Sequence, residues 1–277
     1  IRGLPTHPVG AEDIGVHLDG AGRASRVDLD KSRAMLDRSA FHGVPVVTGW
    51  FGEGTDGDIA LLGRGGSDHT ATALAALLQA RRVTLWKDVS GIYPVNPRWG
   101  VQSTPIPYLG YGEAIAFSNA DATILHPATV EPVYEMGIPI EIRHLAHHKN
   151  GAMKTIIGPD IEATPNIKGI ACTPRVAYVN AEVRYSQDAA RALSDLLQEL
   201  DEEGIRICSF ETTNTQWRFV FLQHELNRGV QIINQHCSSV KYDYYAAMLS
   251  FIGCCDIEYL REQLGEQHDE ETMPLYE

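Results

Sequence analysis

The run from Leu61 to Arg98, LLGRGGSDHTATALAALLQARRVTLWKDVSGIYPVNPR, constrains the fold more than any other part of the chain. An apolar start enters a glycine-rich turn, Gly63-Arg64-Gly65-Gly66-Ser67-Asp68. An alanine/leucine-rich helix is expected over about Asp68 to Ala80, and a buried strand at about Val83 to Trp86. A polar loop, Lys87-Asp88-Val89-Ser90-Gly91-Ile92-Tyr93, then closes on Asn96-Pro97-Arg98. Glycines before a helix let the backbone approach a ligand closely, and the unpaired N–H groups of a first helical turn attract anions. Arg64 and Asp68 add one donor and one acceptor side by side, which suits a small zwitterion: guanidinium on a carboxylate, carboxylate on an ammonium group. The residues alone also allow a plain strand-to-helix connection in which Asp68 only caps the helix.

Around this stretch the front of the chain reads as further short elements. Residues before Arg26 are rich in Gly and Pro, with a short strand and a turn near Val16 to Ala24. Asp28 opens an amphipathic helix expected to reach about Phe41, and Val44 to Gly52 reads as a buried strand ending in a glycine-flanked loop. Glu53 to Asp58 is a polar, hairpin-like connection, Pro105 to Leu109 a loop leading into a helix, and Ile138 to Ile142 a strand. Pro159 to about Ile167 reads as a linker, giving domains at 1–160 and 166–277. Beyond it the pattern becomes β-α-β-β-α-β. Strands are expected at Val176–Val183, Ile205–Phe210, Trp217–Leu222 and Val240–Tyr244, with helices over Gln187–Glu203, capped by Ser186, and Asn227–His236. That order is ferredoxin-like. Ala247 to Gly253 reads as the first strand of a second, incomplete unit ahead of an acidic end.

Composition narrows the chemistry. The net charge of −13 argues against nucleic acid as a partner. The acid excess sits in residues 161–277, with 9 Lys/Arg against 19 Asp/Glu; residues 1–160, with 14 against 17, are near neutral, as a site for an anionic ligand prefers. No apolar run reaches the roughly 18 residues of a membrane span and no leader is evident. Five cysteines without C-x-x-C spacing indicate neither a disulfide framework nor a zinc site, so a reducing, cytoplasmic (or plastid) interior is expected. His144, His147 and His148 lack a carboxylate or thiolate at ligand spacing, so no metal role is assigned to them. His126-Pro127 is expected to fix a turn.

GRGGSD followed by WKDVSGIY, NPR and ILHPATVEPVYEMGIPIEIR, in order over about Pro45 to Ile157, resembles the aspartokinase family of amino-acid kinases. The resemblance implies an α/β fold, the C-terminal, nucleotide-binding part of an amino-acid-kinase domain. An open, mostly parallel sheet with flanking helices would be followed by a ferredoxin-like α+β ACT region. It implies ATP with Mg2+ and L-aspartate as partners, and a homo-oligomer. Arg64 would hold the α-carboxylate of aspartate and Asp68 its amino group, with Gly65, Gly66 and Ser67 completing the substrate turn. Lys87, Asp88, Tyr93 and Arg98 would contact the nucleotide, Lys87 and Arg98 at its phosphates. Thr123 stands where many members carry a phosphate-binding lysine, and Lys87 is the candidate to supply that charge, making Asp68 and Lys87 the catalytic pair. Read without the resemblance, Lys87 is taken first as a solvated surface lysine and Tyr93 as a half-buried packing aromatic.

Two departures bear on activity. The family opens on a K-F-G-G-T/S phosphate loop; here none of six lysines precedes Gly-Gly, and the only such pair is Gly65-Gly66. The chain is therefore expected to be either part of a longer kinase or a paralogue that binds nucleotide or amino acid without turnover, as a regulatory or assembly subunit. ACT units usually bind an amino-acid effector at a glycine-bearing turn; here Arg184-Tyr185-Ser186-Gln187-Asp188 has no glycine, and a purely structural or dimerising unit stands beside the effector reading. A kinase for another acidic amino acid, such as N-acetylglutamate, is disfavoured by GRGGSD together with the ACT-like tail.

Overall fold

A computed structural model describes residues 3–24, 26–120, 125–146, 152–161, 166–183, 189–213 and 215–254. Thr123, His147, His148 and the turn 184–188 lie outside them. The chain divides into two units, Ile1–Thr164 and Pro165–Glu277.

In the front unit, β1 (Thr6–Val9) pairs in parallel with β3 (Val44–Val47), and β2 (Arg23–Ala24), β5 (Ile59–Leu62) and β4 (Phe51–Glu53) form a second sheet in that order. A third sheet runs β6 (Val83–Lys87), β8 (Ile140–His144), β9 (Thr155–Gly158), β7 (Tyr108–Gly110). The expected single open sheet is thus three small ones among the described residues, although most of the pairings are parallel. The two antiparallel pairings have local causes. The short Gly54–Asp58 connection can only fold β5 back on β4 as a hairpin, and β9 returns along β8 in the same way.

The helices are α1 (Leu29–Met35), α2 (Gly66–Leu78), α3 (Tyr111–Asn119) and α4 (Glu131–Tyr134). Helix α1 is shorter than its pattern suggested. Leu36 turns extended and the Asp37 carboxylate accepts from the Ser39 N–H and hydroxyl, a local alternative that ends the helix and starts a 3-10 turn at Arg38–Ala40. The expected buried strand Val44–Gly52 is also corrected. Strand β3 stops at Val47, leaves Val44 and Val46 45% and 59% exposed, and Trp50 at φ 78° breaks the run before β4. Helix α2 begins at Gly66, and its buried Ala73, Ala75, Ala76 and Leu77 form a small-residue face. Ala73 joins a core of Val9, Ile14, Val16, Leu18, Val27, Ala60 and Leu62.

The back unit comprises β10 (Asn166–Val183), α5 (Ala189–Glu202), β11 (Ile207–Thr212), β12 (Gln216–Leu222), α6 (Leu226–His236) and β13 (Cys237–Cys254). The sheet order is β11-β12-β10-β13, antiparallel throughout. Strand alternation puts Trp217, Phe219 and Phe221 on one face of β12, where they pack with Leu196 and Leu200 of α5 and with Leu226 and Ile233 of α6. The segment Ala247–Gly253 is not a separate strand but the continuation of β13. Tyr244-Tyr245-Ala246-Ala247 holds no glycine or proline to turn on, so β13 runs straight through and pairs with the first half of β10, which starts ten residues earlier than expected.

Trp217 is 2% exposed at the centre of this core. Trp217→Ala is expected to cost about 3–5 kcal/mol through lost burial and the cavity left behind. Urea unfolding followed by far-UV circular dichroism checks it, and an unchanged midpoint would contradict the placement of this side chain.

Candidate functional site

Strand β5 delivers the chain into the glycine turn. Gly65 sits in the left-handed region, φ 76° and ψ 8°, which lets the backbone swing from strand to helix without strain. Both glycines are also packed. A Cβ on Gly65 would lie 2.6 Å from the His126 Cβ, and one on Gly66 would lie 2.5 Å from Trp50 Cδ1 and 2.7 Å from Leu62 Cβ. Trp50 is itself fixed, its N–H donating to Thr70 Oγ1 at 3.1 Å and its carbonyl accepting from Leu62 N–H at 2.8 Å. The unusual backbone at Trp50 is therefore held from two sides, by β5 and by α2.

No side chain caps the N-terminus of α2. The Asp68 carboxylate accepts instead from Lys87 Nζ at 2.5 Å, with the two side chains 19% and 25% exposed. Lys87 ends β6, at the same edge where His144 ends the parallel neighbour β8. The two residues assigned as catalytic thus form one half-buried ion pair beside the glycine turn. Ser67 and Arg64 are exposed, and Arg64 has no ion pair or hydrogen bond among the described residues. A guanidinium and a carboxylate–ammonium pair on one helix start can receive a molecule carrying both signs of charge.

Asp88 is exposed. The loop after it is pinned by Thr155, whose hydroxyl accepts from the Ile92 N–H at 2.9 Å and donates to the Ile106 carbonyl at 2.7 Å. A Cβ on Gly91 would collide with that hydroxyl. This holds half-buried Tyr93 in an open cleft of about 710 Å³ shared with Pro97, Val101, Gln102, Ser103 and Thr104. Arg98 is exposed on the adjoining 3-10 turn Pro97–Trp99, which Asn96 caps. Tyr93 and Arg98 therefore share one region of the front unit, while Asp68 and Lys87 are not among the residues lining the cleft.

His126 behaves as expected of a turn residue, capping Pro127–Thr129. Two residues escaped the motif reading. His69, in the first turn of α2, is 3% exposed, accepts from the Val27 N–H at Nε2 (2.9 Å) and bonds the Ala128 carbonyl through Nδ1 (2.6 Å). Its helical phase, four residues before buried Ala73, was a usable signal.

Glu141 is 6% exposed and bonds Arg143 Nε at 2.8 Å and Lys154 Nζ at 2.9 Å, with Arg82 Nη1 at 3.7 Å. Burial pushes its carboxyl up, but the hydrogen bonds and charges of Lys154 and Arg143 outweigh this and hold it below the usual carboxylate value of 4.5. A depressed folded pKa stabilises the fold above the unfolded value and loses that contribution as pH falls through the folded one. Glu141→Gln is accordingly expected to cost about 1–3 kcal/mol at neutral pH, toward the lower end because its partners are partly solvated. In paired thermal melts the gap should close in acid, and a gap constant with pH would contradict the ion-pair origin.

Among the described residues no group of His, Cys, Asp and Glu is placed to hold a metal ion, and no helix is long and apolar enough to cross a membrane.

Comparison with known proteins agrees with the motif reading. The model of the amino acid kinase family matches residues 1–144, more than half of the chain. An aspartokinase of Geobacillus stearothermophilus is 28% identical over 85% of this chain and 58% of its own length. One from Bacillus sp. (strain MGA3) is 32% identical over 80% and 54%. The chain spans just over half the length of these relatives. Among solved structures, E. coli aspartokinase III in complex with aspartate and ADP (R-state) superposes with a TM-score of 0.71 at 21% identity, over 91% of this chain and 58% of that one. The same enzyme with lysine and aspartate (T-state) gives 0.66 at 23% identity, over the same shares. These likenesses establish the fold. The chain belongs to the amino acid kinase family, and the relatives it matches by sequence are aspartokinases.

Proposed function

We propose that this chain serves an aspartate kinase, moving the γ-phosphoryl group of ATP to the side-chain carboxylate of L-aspartate to give 4-phospho-L-aspartate, the entry to lysine, threonine and methionine synthesis. The observation that carries the reading is the Asp68–Lys87 pair at the glycine turn, with Arg64 exposed four residues before Asp68. Arg64 takes the α-carboxylate, Asp68 the ammonium group, and the N–H groups of Gly65, Gly66 and Ser67 frame them. One carboxylate oxygen of the substrate attacks phosphorus in line, the bond to the bridging oxygen of ADP breaks, and ADP leaves. A carboxylate nucleophile needs no base, so the protein's work is positioning and charge. Lys87 supplies positive charge to the phosphoryl oxygens, held in place by Asp68. Asp88 and Tyr93 contact the nucleoside and Arg98 the phosphates. Mg2+ is assigned to the substrate as MgATP, held by its phosphates, and no step is routed through it. The phosphate loop that the resemblance implies is not found in the 277 residues, and turnover is proposed for the protein with that loop supplied.

For the back unit, the β-α-β-β-α-β order and the sheet order β11-β12-β10-β13 support a ferredoxin-like, ACT-type regulatory unit. Self-association is proposed along the outer edge of β13, where Tyr244 and Leu249 are 61% and 55% exposed. A cytoplasmic location is proposed from the odd count of five cysteines without C-x-x-C spacing.

Calorimetry with MgATP and with L-aspartate tests the site assignment. Arg64→Ala is expected to weaken L-aspartate by roughly 30-fold or more, the size of a charge-assisted hydrogen-bonded contact, and to leave MgATP unchanged. Equal loss of both ligands, or of neither, would overturn the assignment.

A further inference from the structure

His69 is adjacent to Asp68, yet nothing in the proposed phosphoryl transfer uses it. Its buried ring is bonded at both nitrogens, and the partners fix its state. The Ala128 carbonyl can only accept, so Nδ1 carries the proton and donates at 2.6 Å. The Val27 N–H can only donate, so Nε2 is the bare nitrogen that receives it at 2.9 Å. A second proton at Nε2 would set two N–H groups against each other in a buried site.

Both partners belong to walls of the substrate turn. Val27 packs in the core that includes Leu62, the last residue before the glycines, and Ala73 of α2. Ala128 lies in the His126–Thr129 turn, whose His126 Cβ abuts the Cα of Gly65 closely enough to exclude any side chain there. The ring thus ties the first turn of α2 to a segment 42 residues earlier and to another 59 residues later. The charged groups facing it are Glu131 of α4 and Asp19, which favour the protonated ring, and Arg26, which opposes it. Arg26 and Glu131 are paired at 2.8 Å and largely offset one another. Burial is the largest influence and holds the ring below the usual histidine value of 6.5. The sign follows from linkage: His69 contributes its full stabilisation above 6.5 and loses it as pH falls from there toward the folded value.

We propose that His69 is a positioning residue of the amino-acid subsite: the neutral ring holds Gly65 to Asp68 in register, and its protonation releases them. This rests on the aspartate reading for the identity of the ligand. Amino-acid affinity then falls in step with protonation of the His69 ring.

The test uses the whole chain with 15N-labelled histidine and backbone amides. Long-range 15N–1H spectra should show His69 as the Nδ1–H tautomer at pH 7.5. On acidification the Gly65 and Gly66 amide shifts should move in one step that coincides with protonation of the His69 ring. L-aspartate affinity by calorimetry should weaken at least tenfold across that step. In His69→Gln the amide oxygen replaces Nε2 as acceptor for Val27 but does not titrate, so the glycine shifts and the affinity should be flat with pH. An Nε2–H tautomer, glycine shifts that ignore the ring, or an acid limb that persists in His69→Gln would overturn the proposal. If L-aspartate binds at no pH, the aspartate reading fails by itself, and the tautomer and glycine shifts still decide the clamp.

Discussion

Lys87→Met is expected to lower kcat by roughly 10²- to 10³-fold, the cost of removing one preorganised donor from a site of developing charge, with a much smaller effect on the KM of ATP. Methionine keeps the unbranched stem and removes only the charge, so lost packing does not enter the comparison. The reasoning begins with Asp68, whose carboxylate holds the Lys87 ammonium at 2.5 Å in a half-buried setting and so orders a side chain that would otherwise wander. Ordering a flexible lysine in advance removes an entropic cost from the moment of transfer. Lys31, exposed on α1, is the natural control, and its alanine variant should be unaffected. Asp68→Asn separates the roles of the pair: it should raise the KM of the amino acid as well as lower kcat, because the carboxylate that holds Lys87 is also the one proposed to hold the substrate ammonium. Steady-state kinetics on the three variants decides. A Lys87→Met enzyme as fast as the Lys31 control would remove Lys87 from the mechanism.

The second large effect is on stability. Gly65→Ala should cost about 1–2 kcal/mol for a left-handed backbone at φ 76°. The new methyl group would also sit 2.6 Å from the His126 Cβ, an overpacking that adds about 1–3 kcal/mol. Gly63→Ala is the matched control, since nothing lies within 4 Å of its Cβ position and its backbone is not left-handed. In urea unfolding the midpoint should fall for Gly65→Ala and hold for Gly63→Ala, with the slope unchanged in both. Equal midpoints would show that the turn tolerates a side chain and that its glycines serve ligand approach alone.

The glycine turn, α2, β6 and the helices and strands of the back unit were legible because each rests on local signals: punctuation by glycine, an Ala/Leu helix, alternation in β12. What was hidden depends on pairing. Nothing in the sequence separates a 5-residue β13 from one continuing through Ala247 to Cys254, because strand length is set by the partner, here the early half of β10. Val44-Pro45-Val46-Val47 has the composition of a buried strand and yet half of it faces out; composition records that a strand is apolar, not which neighbours cover it. Within the site, the resemblance proposed catalytic roles for Asp68 and Lys87, but their 2.5 Å contact across 19 residues needed the fold. Glu141 is a carboxylate inside the otherwise apolar stretch Ile138 to Ile142, and only the convergence of Arg143 and Lys154 explains its burial.

Hydroxylamine trapping addresses the proposed reaction most directly. With MgATP and L-aspartate, the protein with its phosphate loop supplied should form the side-chain hydroxamate of aspartate in step with ADP, and none when L-aspartate is omitted. Binding of both ligands without hydroxamate under those conditions would contradict the kinase reading and leave a subunit that binds without turning over.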